Sequence, residues 1–251
     1  MTKQSILLAV LSLAFFSVYL EAKDLKASLS FLPKHVEVDE NGKLSGGFVE
    51  VVNAINDVYL HGNISVKVYP FARSLMNIES GHADFHLPMI KHANTEKRLP
   101  YVYASECITK VAFVLYSRAD RAPLNMQRLD QYTIDTQRGH KLFFPFDIME
   151  NNSLEQGIQK LLKGRIDGYI MEQDAVDDYI RINNLSNIRR TLYREWDSCV
   201  VIPKGARQQE LDDLISSALR ELKSTGRLQS ITQTIHQPYI EWQPYLKAQD
   251  N

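Results

Sequence analysis

The sequence predicts an α/β protein built as two lobes, each a parallel-rich sheet with helices on both faces. Three observations carry that prediction. Apolar residues recur with the period of a strand and with the period of a helix by turns along the chain. A helix–Gly–Asp–strand unit occurs twice, in "MNIESGHADFHL" and in "QKLLKGRIDGYI", and such alternation favours layered α/β architecture. No low-complexity linker parts the two halves, so strands rather than flexible tethers are expected to join them.

Taken in order, "DLKASLSFL" alternates like a strand and "GGFVEVVNAINDVYL" has helical spacing behind a glycine pair. "ISVKVYPF" is a β-branched strand, "ARSLMNIESGH" a short helix closed by Gly81, and "ADFHLPMI" a strand again. "ITKVAFVLYSR" reads as a long strand. "RLDQYTIDTQRGH" is a polar turn feeding another strand, with a helix expected after it. "SLEQGIQKLLKGRIDGYIMEQDAVDDYIRIN" holds a helix stopped at Gly164, a short strand, and a second helix from Gln173 or Asp174. "DSCVVIPKG" is a strand, and "QQELDDLISSALRELKSTGRLQSITQTI" is helical with a break at Gly226.

Among 251 residues, 29 Lys and Arg nearly cancel 30 Asp and Glu. No strong field exists to draw nucleic acid or an anionic membrane, and neither is expected as a partner. Lys3, the apolar run "ILLAVLSLAFFSVYL" and the following "EAKD" read as a secretory signal peptide over residues 1–22, cleaved near Ala22. The run is shorter than the roughly 20 residues a spanning helix needs. Export places Cys107 and Cys199 in an oxidising compartment, where they either pair or remain two buried thiols.

Several residues are candidates for binding. Arg98, in "HANTEKRLPYVYASE", carries a permanent charge and a fork that grips a carboxylate through two hydrogen bonds; Asn94 or Thr95 would cap the turn before it. "TQRGH" ends a strand, so the backbone donors from Thr136 to His140, with the Arg138 and His140 side chains, form a second anion-holding point. Glu172 sits at the C-terminal end of a strand, where it could accept an ammonium group, and Arg73 opens a helix at a similar edge. His82, Asp84 and His86 would share one face of a strand and could bind a transition metal. The second unit has Arg165 and Asp167 in the places of His82 and Asp84, which favours a structural role for the aspartate, and no metal site is predicted. No nucleophile elbow, P-loop or Ser/His/Asp order specifies an enzyme, and no cofactor is called for.

The order of "GGFVEVVNAI", "ESGHADF", "NTEKRLPYVYAS", "TQRGH", "LLKGRIDGYIMEQDA", "VVIPKG" and "STGRLQSI" behind a signal peptide resembles the bacterial extracellular solute-binding proteins of family 3, the polar amino-acid-binding type. The resemblance spans essentially the whole mature chain. It implies a type II periplasmic-binding-protein-like fold, with a mixed sheet flanked by helices in each lobe and a ligand cleft between lobes. Residues 23–110 would begin lobe 1, 111–198 form lobe 2 and 199–251 return to lobe 1, with crossings near Ile108 to Val111 and Trp196 to Cys199. Both cysteines would then lie near the hinge.

In that family Arg98 matches the arginine for the ligand's α-carboxylate, Glu172 falls near the acid for its α-ammonium, and Thr136 to His140 match the loop that closes on the carboxylate. "YPFARSL" resembles a branch in which Arg73 faces the cleft. Ala93 replaces the hydroxyl residue that usually precedes the arginine, and the segment from Asp84 to Arg98 is longer than usual. The implied function is a monomeric, non-enzymatic periplasmic protein that captures an amino acid or related carboxylate for an ABC-type importer. The alternatives are an input domain for a membrane sensor and an enzyme of dehydratase or peptidoglycan lyase type on the same fold.

Overall fold

A computed structural model describes residues 23–91 and 99–242. The expected signal peptide, residues 1–22, and Arg98, with Asn94 and Thr95, lie outside the described residues. Among the described residues, ten strands and six α-helices follow in the order β1 (Leu25–Ser30), β2 (Glu37–Val38), β3 (Leu44–Ser45), α1 (Gly47–Val58), β4 (Ile64–Tyr69), α2 (Phe71–Glu79) and β5 (Phe85–Ile90). The chain continues as β6 (Tyr101–Arg118), β7 (Ile134–Gln137), β8 (Met149–Asn151), α3 (Leu154–Leu162), β9 (Gly168–Glu172), α4 (Gln173–Ile182), β10 (Ile188–Pro203), α5 (Gln208–Ser224) and α6 (Arg227–Ile235). Short 3₁₀ turns at Met126–Gln131 and Lys141–Phe143 flank β7. A 3₁₀ turn thus replaces the helix expected directly after "TQRGH", and α3 begins only after β8.

Eight strands form one sheet in the order β4-β1-β5-β10-β6-β9-β7-β8, and β2 pairs with β3 in a small hairpin. Each end of the sheet is a set of three strands, parallel among themselves. The centre is the long antiparallel pair β6–β10, running from Tyr101 opposite Pro203 to Arg118 opposite Ile188. Parallel strands need helical crossovers, which is what the alternating sequence supplies. Both central strands extend beyond the apolar runs that announced them, so each serves both ends of the sheet. Cys107 and Cys199 are partners in this ladder and form a disulfide.

Two apolar cores result. One gathers Leu25, Leu29, Phe48, Ile55, Val200, Leu219 and Ile235 beneath α1, α5 and α6. The other runs from Ile78 and Met89 under the centre of the sheet to Ile158, Tyr169, Val176 and Ile188. Apolar residues on one stripe of each helix drive this burial. Beyond α6 the chain lies against α4 and β10: the Gln173 side chain donates to the Gln237 carbonyl at 2.9 Å, and Arg190 donates to the carbonyls of Ile240 and Trp242 at 3.0 and 2.8 Å. Arg190 also grips Asp177 through two hydrogen bonds of 2.7 and 2.5 Å, with its guanidinium between the rings of Tyr239 and Trp242. The C-terminal tail therefore straps the last helix to the far half of the sheet. Among the described residues no helix is long and apolar enough to cross a membrane.

Candidate functional site

A cleft opens at the C-terminal ends of β1 and β9, where the two halves of the sheet face each other. Its inner part is a narrow pocket of about 40 Å³, walled mainly by Phe31, Phe48, Phe71, Val111, Phe113 and Met171. The Ser198 hydroxyl, buried in its wall, has no hydrogen-bond partner among the described residues. Phe31, Phe71 and Gln137 are shared with an outer groove of about 670 Å³ that also holds Arg73 and Arg138. An apolar interior with a few polar groups at its mouth suits capture of a small molecule.

Arg73 and Arg138 arrive from opposite sides, Arg73 from the first turn of α2 and Arg138 from the loop after β7. Both are exposed, and among the described residues neither forms an ion pair. The sequence placed these two guanidiniums at one cleft, and the structure brings them to one groove.

The remaining expectations fare differently. Thr136 is buried in the sheet, where its hydroxyl donates to the Ile170 carbonyl at 2.8 Å; it braces β7 against β9 rather than facing a ligand. The N–H groups of the following loop are already spoken for. Arg138 N–H donates to the Asn151 carbonyl at 2.8 Å, Gly139 N–H to the Glu150 carboxylate at 2.7 Å, and His140 N–H to the Gln137 carbonyl at 3.2 Å. The loop thus holds an internal anion, Glu150. His140 lines the pocket but stacks flat on Phe71, with ring centroids 4.4 Å apart and an interplanar angle of 12°. Burial pushes its pKa down to about 4, so it is a neutral wall of the pocket rather than a cation.

The alternating "GHADFH" residues do not form a common face, because β5 begins only at Phe85. His82 bonds the Ser80 hydroxyl, Asp84 accepts from Lys26 N–H at 2.8 Å and pairs with Arg207, and buried His86 bonds Ser74 and the Ser28 carbonyl.

Glu172 ends β9 and caps α4, accepting from the N–H groups of Asp174 and Ala175 at 2.8 and 2.9 Å. Its side chain is only 5 % exposed, and His35 Nε2–H donates to it at 3.1 Å. His236 Nδ1 lies 3.5 Å from both Glu172 and Asp174. Burial by itself would raise the Glu172 pKa, but the neighbouring imidazoles hold the carboxyl well below the usual range. Burial opposes the charge on His236 in turn, and the Asp174 and Glu172 carboxylates outweigh it, raising its pKa. The carboxylate expected to receive an ammonium group is therefore already engaged by the protein.

Neither histidine was singled out in the sequence, where each stands alone at one end of the chain. The signal that bears on them is the pair Gly46–Gly47. A Cβ on Gly46 would sit 2.3 Å from the His35 carbonyl oxygen, and one on Gly47 would sit 2.1 Å from Ile235 Cγ1. Only glycine lets the start of α1 touch both segments. The imidazoles of His35 and His236 consequently meet, with centroids 5.2 Å apart, beside the Phe48 ring.

Fold and cleft together define the class: a two-lobed, periplasmic-binding-protein-like α/β fold. By sequence, the chain matches no family model and none of the curated proteins. Among solved structures it is similar to a histidine kinase sensor domain described as similar to periplasmic binding proteins, at a TM-score of 0.71 and 19% identity over 85% of this chain and 96% of that one. It is also similar to ArtJ, the arginine-, lysine-, histidine-binding protein from Geobacillus stearothermophilus, at 0.68 and 17% identity over 84% and 94% of the two chains. A mutant of ArgBP from T. maritima aligns at 0.67 and 18% identity over 84% and 93%. These likenesses establish the fold.

Proposed function

We propose that the protein is a periplasmic solute-binding protein that closes its cleft on a small organic carboxylate with an apolar body. The observation that carries this reading is the pairing of Arg73 and Arg138 across a groove that leads into an aromatic-walled pocket. A guanidinium without an internal partner is suited to grip an incoming carboxylate, and apolar walls reward the rest of the ligand. Arg98, expected from the family resemblance, would add a third cation. The engagement of Glu172 by His35 and His236 argues for an acid rather than a zwitterion held at both ends. In this reading the lobes, 23–110 with 199–251 and 111–198, hinge about β6 and β10, and the closed form delivers its ligand to the permease of an ABC-type importer. The role is binding, since a carboxylate held ionised by two imidazoles and a helix N-terminus is not poised to take a proton.

A thermal-shift screen of the mature protein against amino acids, aliphatic and aromatic acids and polyamines tests this. The expected result is stabilisation by carboxylates with an apolar body, with affinity reduced at least about tenfold in Arg138→Ala and Arg73→Ala, the loss of a charge-assisted bond of roughly 1.5–3 kcal/mol. Stabilisation by polyamines alone, or a carboxylate that binds both variants as tightly as the parent, overturns it.

A further inference from the structure

The buried cluster beside the pocket has a composition and spacing that solute binding does not use. One donor atom each from His35, Glu172, Asp174 and His236 lies within 4.8 Å of all the others. The closest approaches are 3.1 Å from His35 Nε2 to Glu172 Oε2, 3.5 Å from His236 Nδ1 to Glu172 Oε1, and 3.5 Å from His236 Nδ1 to Asp174 Oδ2. Ligands about 2.0–2.1 Å from a tetrahedral zinc lie about 3.3 Å from one another. Three of the six donor separations thus match the edges of such a tetrahedron to within a few tenths of an ångström, with Glu172 facing His35 through Oε2 and His236 through Oε1, and the other three lie within 4.8 Å.

A second observation is independent of that spacing. The His236 side chain is only 6 % exposed, yet neither of its ring nitrogens has a hydrogen-bond partner among the described residues, and His35 Nδ1 also lacks one. Buried polar atoms are nearly always satisfied and a neutral imidazole offers a single lone pair, so His236 Nδ1, 3.5 Å from both carboxylates, calls for a group that accepts it. A cation does so, and two carboxylates balance the charge of a divalent one.

The surroundings are built as a ligand's support would be. Glu172 is oriented by the N–H groups of Asp174 and Ala175, and Asp174 by the N–H of Gln237 at 3.1 Å. Two imidazoles with two carboxylates suit zinc and its first-row neighbours, whereas calcium and magnesium prefer all-oxygen sites.

We propose that His35, Glu172, Asp174 and His236 form a four-ligand site for a divalent transition metal, zinc in the first instance. The ligands come from the turn after β1, the β9–α4 junction and the residue beyond α6. The ion therefore ties the N-terminal turn and the C-terminal strap to the opposite half of the sheet. Glu172 and His236 also line the pocket, so metal binding and the closed cleft stabilise each other.

The test uses untagged mature protein, stripped with a chelator and titrated calorimetrically with zinc chloride, then with cobalt chloride for its visible spectrum. One ion per chain, a raised melting temperature and the intense visible bands of tetrahedral cobalt are expected. His236→Gln and Asp174→Asn should each weaken zinc binding about tenfold or more. The double variant His35→Gln/His236→Gln should abolish it, while His82→Gln and Arg138→Ala should leave it unchanged. Because the titration contains no organic solute, its outcome is separate from that of the carboxylate screen. The proposal is overturned if the folded wild-type chain binds neither ion, or if the double variant binds zinc as tightly as the parent. Should the variants fail to fold, an octahedral cobalt spectrum from the wild type overturns it equally.

Discussion

The two helix–Gly–Asp–strand units are constructed alike up to their strands and differently after them. In the first, α2 is followed by Gly81 with φ 69°, His82 N–H donates to the Asn77 carbonyl, and Asp84 exchanges hydrogen bonds with the Lys26 backbone. In the second, α3 is followed by Gly164 with φ 65°, Arg165 N–H donates to the Lys160 carbonyl, and Asp167 exchanges the same bonds with the Thr133 backbone. Each aspartate therefore pins its strand to the start of a neighbouring one. Two residues on, the units diverge: His86 is buried in β5 where Tyr169 is buried in β9. At the strand's far end β5 finishes on Ile90, whereas β9 finishes on Glu172, which gathers two histidines from elsewhere in the chain. A repeated unit builds the scaffold, and the residues at the ends of its strands make the halves different.

The strongest way to break this comparison is to remove what distinguishes the second unit. Glu172→Gln should cost about 3–5 kcal/mol in urea unfolding, because it takes the charge partner from buried imidazoles. A loss under 1 kcal/mol would mean that the cluster does not hold the two halves together.

His86 sharpens the contrast through pH. Burial lowers its pKa to about 4, so between about pH 4 and 6.5 the unfolded chain binds more protons than the folded one. Stability is then full above pH 6.5 and falls as the pH drops towards 4, by up to about 3 kcal/mol from this residue. Unfolding curves across that window should flatten in His86→Leu, and an unchanged pH slope would contradict the assignment.

The smallest effect tests what the units share. Asp84→Ala and Asp167→Ala each leave a backbone N–H without its acceptor. The half-buried Asp84 should cost about 1–3 kcal/mol, and the exposed Asp167 about half as much. Unfolding midpoints that ranked them the other way round would show that the bonds are not equivalent.

Much of this architecture was legible in the chain. The alternation in "DLKASLSFL" and "ISVKVYPF", the helical stripe of "GGFVEVVNAINDVYL" and the stops at Gly81, Gly164 and Gly226 all report local physics, which neighbouring residues decide. The aspartate's structural role also followed from seeing it twice. The full lengths of β6 and β10 did not follow, because "YVYASEC" and "RRTLYREW" mix charged and apolar residues where a strand passes between environments. The two-residue strands β2 and β3 are too short for any period to register. Of the candidate binding residues, Arg73 and Arg138 reach the groove; Thr136 and the loop N–H groups turn inward, because a sheet and Glu150 satisfy them first.

By itself the sequence determined the alternating elements, the repeated unit, the chain order of a two-lobed periplasmic-binding-protein-like fold and the two arginines that reach the groove. Tertiary structure decided the disulfide between Cys107 and Cys199, the neutrality of His140 and the company of Glu172. Periodicity and turn chemistry are set by residues a few positions apart. Burial, charge pairing and the meeting of His35 with His236 depend on segments that only the folded sheet brings together.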